Sequence, residues 1–182
     1  MKTLVGLLCV ALAPVAAQAA APAGSSAVLT PIHQFIDNFN KGDAKTAAAT
    51  HADDATIQDE VPPHVWRGPG AFQAWAADLD KASKAAGQTD ESVTLGKPVR
   101  ADVNGDVAYV VIPAQFKYRQ HGKRMVEPAQ MVFSLRQEAS AWKIAAWAWT
   151  GGTPHAVVPK PAAPAATAAA PTAPIPAPML SH

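Results

Sequence analysis

The residues able to do chemistry are few and far apart. Glu127 stands in simple alternation with Met131, Phe133 and Leu135, so a strand through this stretch turns a carboxylate toward the same side as three apolar side chains. If that side is inward, the acid needs a partner or a raised pKa; if a bulge at Pro128 reverses it, Glu127 is a surface charge. The histidines His33, His51, His64, His121, His155 and His182 are scattered, and no pair has the spacing of helical or hairpin metal ligands. No metal is therefore expected, and the histidines read as structural or surface residues. The exception is His64, close enough in the chain to Asp59 to serve as an acid–base partner. A glycine-rich phosphate loop, a nucleophile elbow and a P-loop lysine are all absent from the sequence, and no cofactor is implied.

These groups belong to a chain of 182 residues with Lys+Arg 15, Asp+Glu 14 and a formal charge of +1. That length predicts one domain, and the charge calls for no nucleic-acid or acidic-lipid partner. The ends separate from the rest by composition. Residues 1–19 combine Lys2, the apolar run Leu4 to Ala13 and the small-residue pattern Ala17-Gln18-Ala19, which reads as a secretory signal peptide too short to span a bilayer. The expectation is an exported protein, periplasmic or secreted, with no membrane span after cleavage. Cys9, the only cysteine, leaves with that leader, and with it any disulfide, thiolate catalysis or cysteine-ligated metal. Residues 20–26 read as a short linker. From Thr153 to His182 the chain is rich in Ala and Pro and is expected to be a disordered, proline-rich spacer, leaving residues 27–152 to fold.

Within 27–152, Thr30 and Pro31 read as the cap and first position of a helix whose Ile32, Phe35, Ile36 and Phe39 form one apolar stripe. Asp43 caps a second, short helix, and Ala55 to Asp59 follows as a brief strand. Pro69 opens a third helix carrying Phe72, Trp75, Ala76 and Leu79, ending near Gly87. The period then changes to two, and Thr89–Ala101, Asp106–Arg119, Arg124–Gln137 and Trp142–Thr150 read as four strands of an antiparallel meander. Pro98, Pro113 and Pro128 should impose bulges or bends on it. The predicted class is α+β: three N-terminal helices packed in a strongly bent, mainly antiparallel sheet. Phe35, Phe39, Trp66, Phe72, Trp75, Phe116, Met131 and Phe133 are the candidates to line an interior pocket. Strict alternation puts Trp147 and Trp149 opposite Trp142 and Ile144, hence on the outer sheet face with Lys143, where adjacent tryptophans mark an interface.

The order of helix, short helix, strand, long helix and four-stranded meander resembles the cone-shaped fold of nuclear transport factor 2-like and SnoaL-like (polyketide cyclase) proteins. The tract His51-Ala52-Asp53-Asp54-Ala55-Thr56-Ile57-Gln58-Asp59, the pair Arg67-Gly68 before the long helix and Trp142-Lys143-Ile144 in the last strand are similar to that superfamily's wording. The resemblance implies a cone pocket and dimerisation through the sheet face of Lys143, Trp147 and Trp149. Within the superfamily the tract looks most like ketosteroid isomerase, whose general-base aspartate falls on Asp59. The oxyanion-hole tyrosine of that family falls on Phe35, which has no hydroxyl, and its acid on Gln130 or Met131. Gln130 is able to donate a hydrogen bond, but neither residue is an acid, so steroid isomerisation is not expected. The water-activating trio of the fold's epoxide hydrolases needs an interior arginine, and Arg67 reads instead as a loop residue. The leading expectation is an exported domain binding a small apolar ligand or a protein partner in or around the pocket. The alternatives are a lyase, cyclase or isomerase using Asp59 as base with His64, Gln130 or Glu127 positioning the substrate, and a non-catalytic interaction module on a proline-rich tail.

Overall fold

A computed structural model of the chain describes residues 24–158. The leader reading, most of the linker and the tail from residue 159 lie outside the described residues.

Helix α1, Gly24–Asn40, starts more than a turn before the expected cap at Thr30 and carries Pro31 inside it. Val28 explains the extension: it is fully buried and lengthens the stripe formed by Ile32, Phe35 and Ile36, so its burial offsets the one intrahelical bond that proline forfeits. Asp43 caps α2, Ala44–Ala48, accepting from the Thr46 amide at 3.0 Å. Strand β1 is His51–Gln58 and β2 is Val65–Arg67. Strand β2 was not anticipated; it folds back antiparallel on β1 across the Pro62-Pro63 turn. Helix α3, Ala71–Ala86, ends at Gly87 in a left-handed cap with φ 66°, a conformation glycine adopts without strain.

The remaining strands are β3 (Gln88–Leu95), β4 (Arg100–Asn104), β5 (Val107–Gln120), β6 (Lys123–Glu138), β7 (Ala141–Gly151) and β8 (His155–Ala156). The sheet runs β2-β1-β7-β6-β5-β3, with β4 also on β5 and β8 also on β6. Every pairing is antiparallel except β1 with β7. The first predicted long strand is in fact two, since β3 and β4 are separated around Pro98 and pair with successive halves of β5. Residues His155 and Ala156, assigned to the spacer above, pair with Val126 and Met125, so the fold reaches past Gly152.

The expected bulges at Pro113 and Pro128 are absent from the β5–β6 pairing, which keeps one unbroken register from Val107 opposite Arg136 to Gln120 opposite Lys123. Each proline sits where its strand changes neighbour. The Pro113 carbonyl accepts from Gly96 at the β3–β4 break, and the Pro128 carbonyl accepts from Gly152 between β7 and β8, so the missing N–H of each faces a gap in the ladder. The bulge lies in β7 instead. Ile144 pairs with Leu135 and Ala146 with Ser134, leaving Ala145 extra. One extra residue reverses the facing of all that follows. Trp147 is therefore buried, like Ile144, and the outward tryptophan face predicted from strict alternation does not exist.

Candidate functional site

The bent sheet and the inner faces of α1 and α3 enclose a cavity of about 290 Å³, close to the lower end of the range for small-molecule sites. Helix α1 contributes Phe35, Ile36 and Phe39, and α3 contributes Trp75, Leu79 and Ser83. From the sheet come Phe116 and Tyr118 on β5, Glu127 and Met131 on β6, and Trp147 and Trp149 on β7. Asp59, Glu60 and Val61 close one side from the loop after β1, and Pro154 reaches the wall from the segment before β8. Of the expected lining, Phe35, Phe39, Trp75, Phe116 and Met131 are in place. Trp66 is not; its Nε1 donates to Asp78 at 2.9 Å and ties β2 to α3. Phe72 packs edge-on against Phe35 outside this cavity, and Phe133 is sealed in the core.

Because β6 has no bulge beside it, Glu127 keeps its register with Met131 and Phe133 and is 2% exposed. Its Oε1 accepts from Trp149 Nε1 at 2.9 Å. The tryptophan expected at an interface is thus a pocket donor, and the Lys143 ammonium donates to the Ala49 carbonyl. Asp59 also faces the cavity. Its Oδ2 accepts from Trp75 Nε1 at 2.9 Å and its Oδ1 from the Val61 amide at 3.3 Å. Burial pushes its pKa up against these bonds. The other two expected participants are elsewhere. His64 is exposed, at φ 74°, with Nδ1 3.2 Å from the Asp59 backbone carbonyl and not at its carboxylate. Gln130 points out of the cone, because alternation from Glu127 turns even-numbered residues of this stretch to the exposed face.

Glu60 was not foreseen. As a whole it is an exposed residue, yet its carboxylate turns inward and meets that of Glu127. A Cβ on Gly151 would strike both carboxylates, so the bare backbone there makes room for the pair. Burial, followed by the charge of Glu127 and a hydrogen bond with it, pushes Glu60 up to about 7. Two carboxylates this close cannot both ionise cheaply, and the pair shares a proton near neutrality. Tyr118 is held protonated, raised by burial and then by Glu127 and Glu60. Ser83, 6% exposed, lines the same cavity, and its Oγ has no hydrogen-bond partner among the described residues. Signals for two of these three were present. Tyr118 lies two residues beyond Phe116 on one strand face, and Ser83 four beyond Leu79 on one helix face. Glu60 had none, since alternation at the end of β1 separates it from Asp59.

Away from the cavity, His51 is buried between α2 and β7. Trp147 Nε1 donates to its Nε2 at 3.0 Å, which makes Nε2 the acceptor and leaves the Nδ1 proton to the Ala47 carbonyl at 3.1 Å. Burial, with a smaller contribution from the charge of Lys143, lowers its pKa to about 4. It is a neutral structural residue.

With this geometry in hand, comparison with known proteins is decisive for the family. A family model described as a SnoaL-like domain matches residues 28–148. The chain belongs to the SnoaL-like domain family. No curated protein matches. Among solved structures, this SnoaL-like domain is similar to a ketosteroid isomerase-like protein from Erwinia carotovora atroseptica SCRI1043, at 17% identity and TM-score 0.56 over 72% of this chain and 98% of that one. It is also similar to the hexachlorocyclohexane dehydrochlorinase LinA-type3 from Novosphingobium barchaimii LL02, at 14% identity and TM-score 0.62 over 76% and 96%. At these identities the likeness is one of fold. Among the described residues the SnoaL-like domain has no helix long and apolar enough to cross a membrane, and no cluster of three or more His, Cys, Asp or Glu placed to hold a metal.

Proposed function

We propose that this exported SnoaL-like domain binds a small apolar molecule in its cone pocket and moves a proton on it, as an isomerase or lyase does. The meeting of the Glu60 and Glu127 carboxylates in a largely apolar cavity, beside Tyr118, carries the reading. A carboxylate takes a proton from carbon next to a carbonyl while the bonding electron pair passes into the enolate. Asp59 and the pair are the candidate bases. The Tyr118 hydroxyl is the donor for the developing oxyanion, supplying from β5 what Phe35 lacks on α1. Return of the proton to another carbon gives an isomer, and loss of a leaving group gives an elimination. Dehydrochlorination, the chemistry in the name of one similar structure, and isomerisation, the chemistry of the enzymes the other is likened to by name, both call for a base of this kind.

The test is proton exchange at carbon. Wild-type protein incubated in D2O with a panel of small cyclic ketones, followed by proton NMR, is expected to accelerate deuterium uptake at the acidic carbon of at least one, with a pH profile that bends near 7. Glu127→Gln should lose the bend and most of the rate. Ligands that bind in the pocket without any accelerated exchange would leave a carrier and sink the enzyme.

A further inference from the structure

The charged groups of the pocket wall are all of one sign. Asp59, Glu60 and Glu127 line it, and no Lys, Arg or His does among the described residues. Buried charges are ordinarily paired with an opposite charge or neutralised by a proton. Here two carboxylates meet with indole and phenol groups and a third carboxylate, Asp59, about them, and the proton they share stands where a counter-cation would stand. The walls suit a cation's hydrocarbon body: Trp75 and Trp147 meet edge to face at 4.9 Å, and Phe116 lies against Trp149 at 6.3 Å, presenting aromatic surface that attracts ammonium groups. A second and separate observation points to a ligand. The Ser83 hydroxyl on the α3 wall is buried with no partner among the described residues, a loss that a bound polar group would make good.

We propose that the pocket takes an apolar amine, its ammonium seated between Glu60 and Glu127, its hydrocarbon body against the tryptophans, and a second hydrogen-bonding group on Ser83. The inference rests on the pocket being the ligand site proposed above, and it names the class of ligand that site prefers. An ammonium displaces the shared proton from the pair and leaves Asp59 beside it as the base. The groups facing the pair fix the pH behaviour. On β5 the neighbour is Tyr118, at the end of β1 it is Asp59 with His64 beyond it on the outside, and the inner faces of α1, α3 and β7 bring no charge. Raising the pH from 6 to 8 removes the competing proton while an alkylamine remains charged, so binding strengthens over that window.

Four probes separate the outcomes: tyramine, phenethylamine without the far hydroxyl, 4-hydroxyphenylethanol without the charge, and 3-(4-hydroxyphenyl)propionate with the charge reversed. Binding is followed by tryptophan fluorescence and by calorimetry in two buffers of different ionisation enthalpy. Tyramine is expected to bind at least about tenfold more tightly than the alcohol at pH 7.5, to release a proton on binding and to weaken toward pH 6; the propionate should be the weakest of the four. Glu127→Gln, which keeps an oxygen for Trp149, should erase the preference for the amine, and Glu60→Gln should do the same. Ser83→Ala should weaken tyramine but not phenethylamine. The alcohol or the propionate binding as tightly as tyramine, or an amine preference that survives both carboxylate variants, would overturn the amine and leave the pocket reading standing. No response to any of the four would overturn both.

Discussion

Around His51 each ring nitrogen has a partner, with Trp147 donating to one and the Ala47 carbonyl accepting from the other. Around Glu127 two carboxyl groups are pressed together, and on the α3 wall Ser83 Oγ has no partner among the described residues. Both regions are buried and both are walled by aromatic rings, with Trp147 shared between them. The difference lies in what the burial achieves. At His51 the polar atoms are spent on one another and the group is locked neutral. At the acid pair they are left short, and that is the condition in which a ligand has something to gain by arriving.

The two regions should respond to pH in opposite directions. His51 binds a proton less readily folded than unfolded, so its contribution is complete above about 6.5 and is lost as pH falls toward about 4. Glu60 binds a proton more readily when folded, so its contribution is complete below about 4.5 and is lost as pH rises through about 7. The largest effect in a set of single substitutions belongs to the ring packed between the two regions: Phe35→Ala, which removes contacts with His51, Phe72, Trp75 and Trp147, is expected to cost about 3–5 kcal/mol in urea unfolding. Next comes His51→Leu, which strands the Trp147 N–H and should cost about 1–3 kcal/mol at pH 7 while flattening the acid limb of the stability profile.

At the pair, Glu127→Gln is expected to make the descending limb between pH 4.5 and 7 shallower, since burial of Glu60 persists while the like charge is gone, and to leave the protein as stable as wild type, or more so, at pH 8. A loss there comparable to Phe35→Ala would mean that the pair supports the fold in the way His51 does, and the contrast between the regions would collapse. The smallest effect is Ser83→Ala, which removes an unsatisfied hydroxyl and should change unfolding free energy by no more than about 0.5 kcal/mol. A clear destabilisation would show that the hydroxyl has a partner in solution.

Much of the architecture was legible because it rests on period and punctuation. The stripe Ile32, Phe35, Ile36, Phe39, the cap at Asp43, the stop at Gly87 and the change to period two all survive folding. What failed was parity. Strict alternation assumes that no residue is extra, and the bulge that turns the tryptophans, at Ala145 in a run of small and aromatic residues, carries no mark in the chain. Prolines drew the bulges to the wrong strands, because a proline needs only an unpaired side, and β5 and β6 each have one where a neighbour ends. The site was legible to the same degree. Asp59 and Glu127 could be named, but His64 and Gln130 could not be excluded until the turn and the register were known. Glu60 reaches Glu127 across a chain separation that no local pattern encodes, and their meeting is a tertiary fact.

Gly151 gives that meeting a third owner. Its φ is not in the left-handed region, so alanine would cost the backbone nothing, yet its methyl would fall where the two carboxylates touch. One methyl group on a strand neither acid belongs to would therefore push the two carboxylates apart. Grafting this acid pair onto another SnoaL-like scaffold is accordingly a three-position operation, and a glycine is the part a designer would be tempted to leave behind.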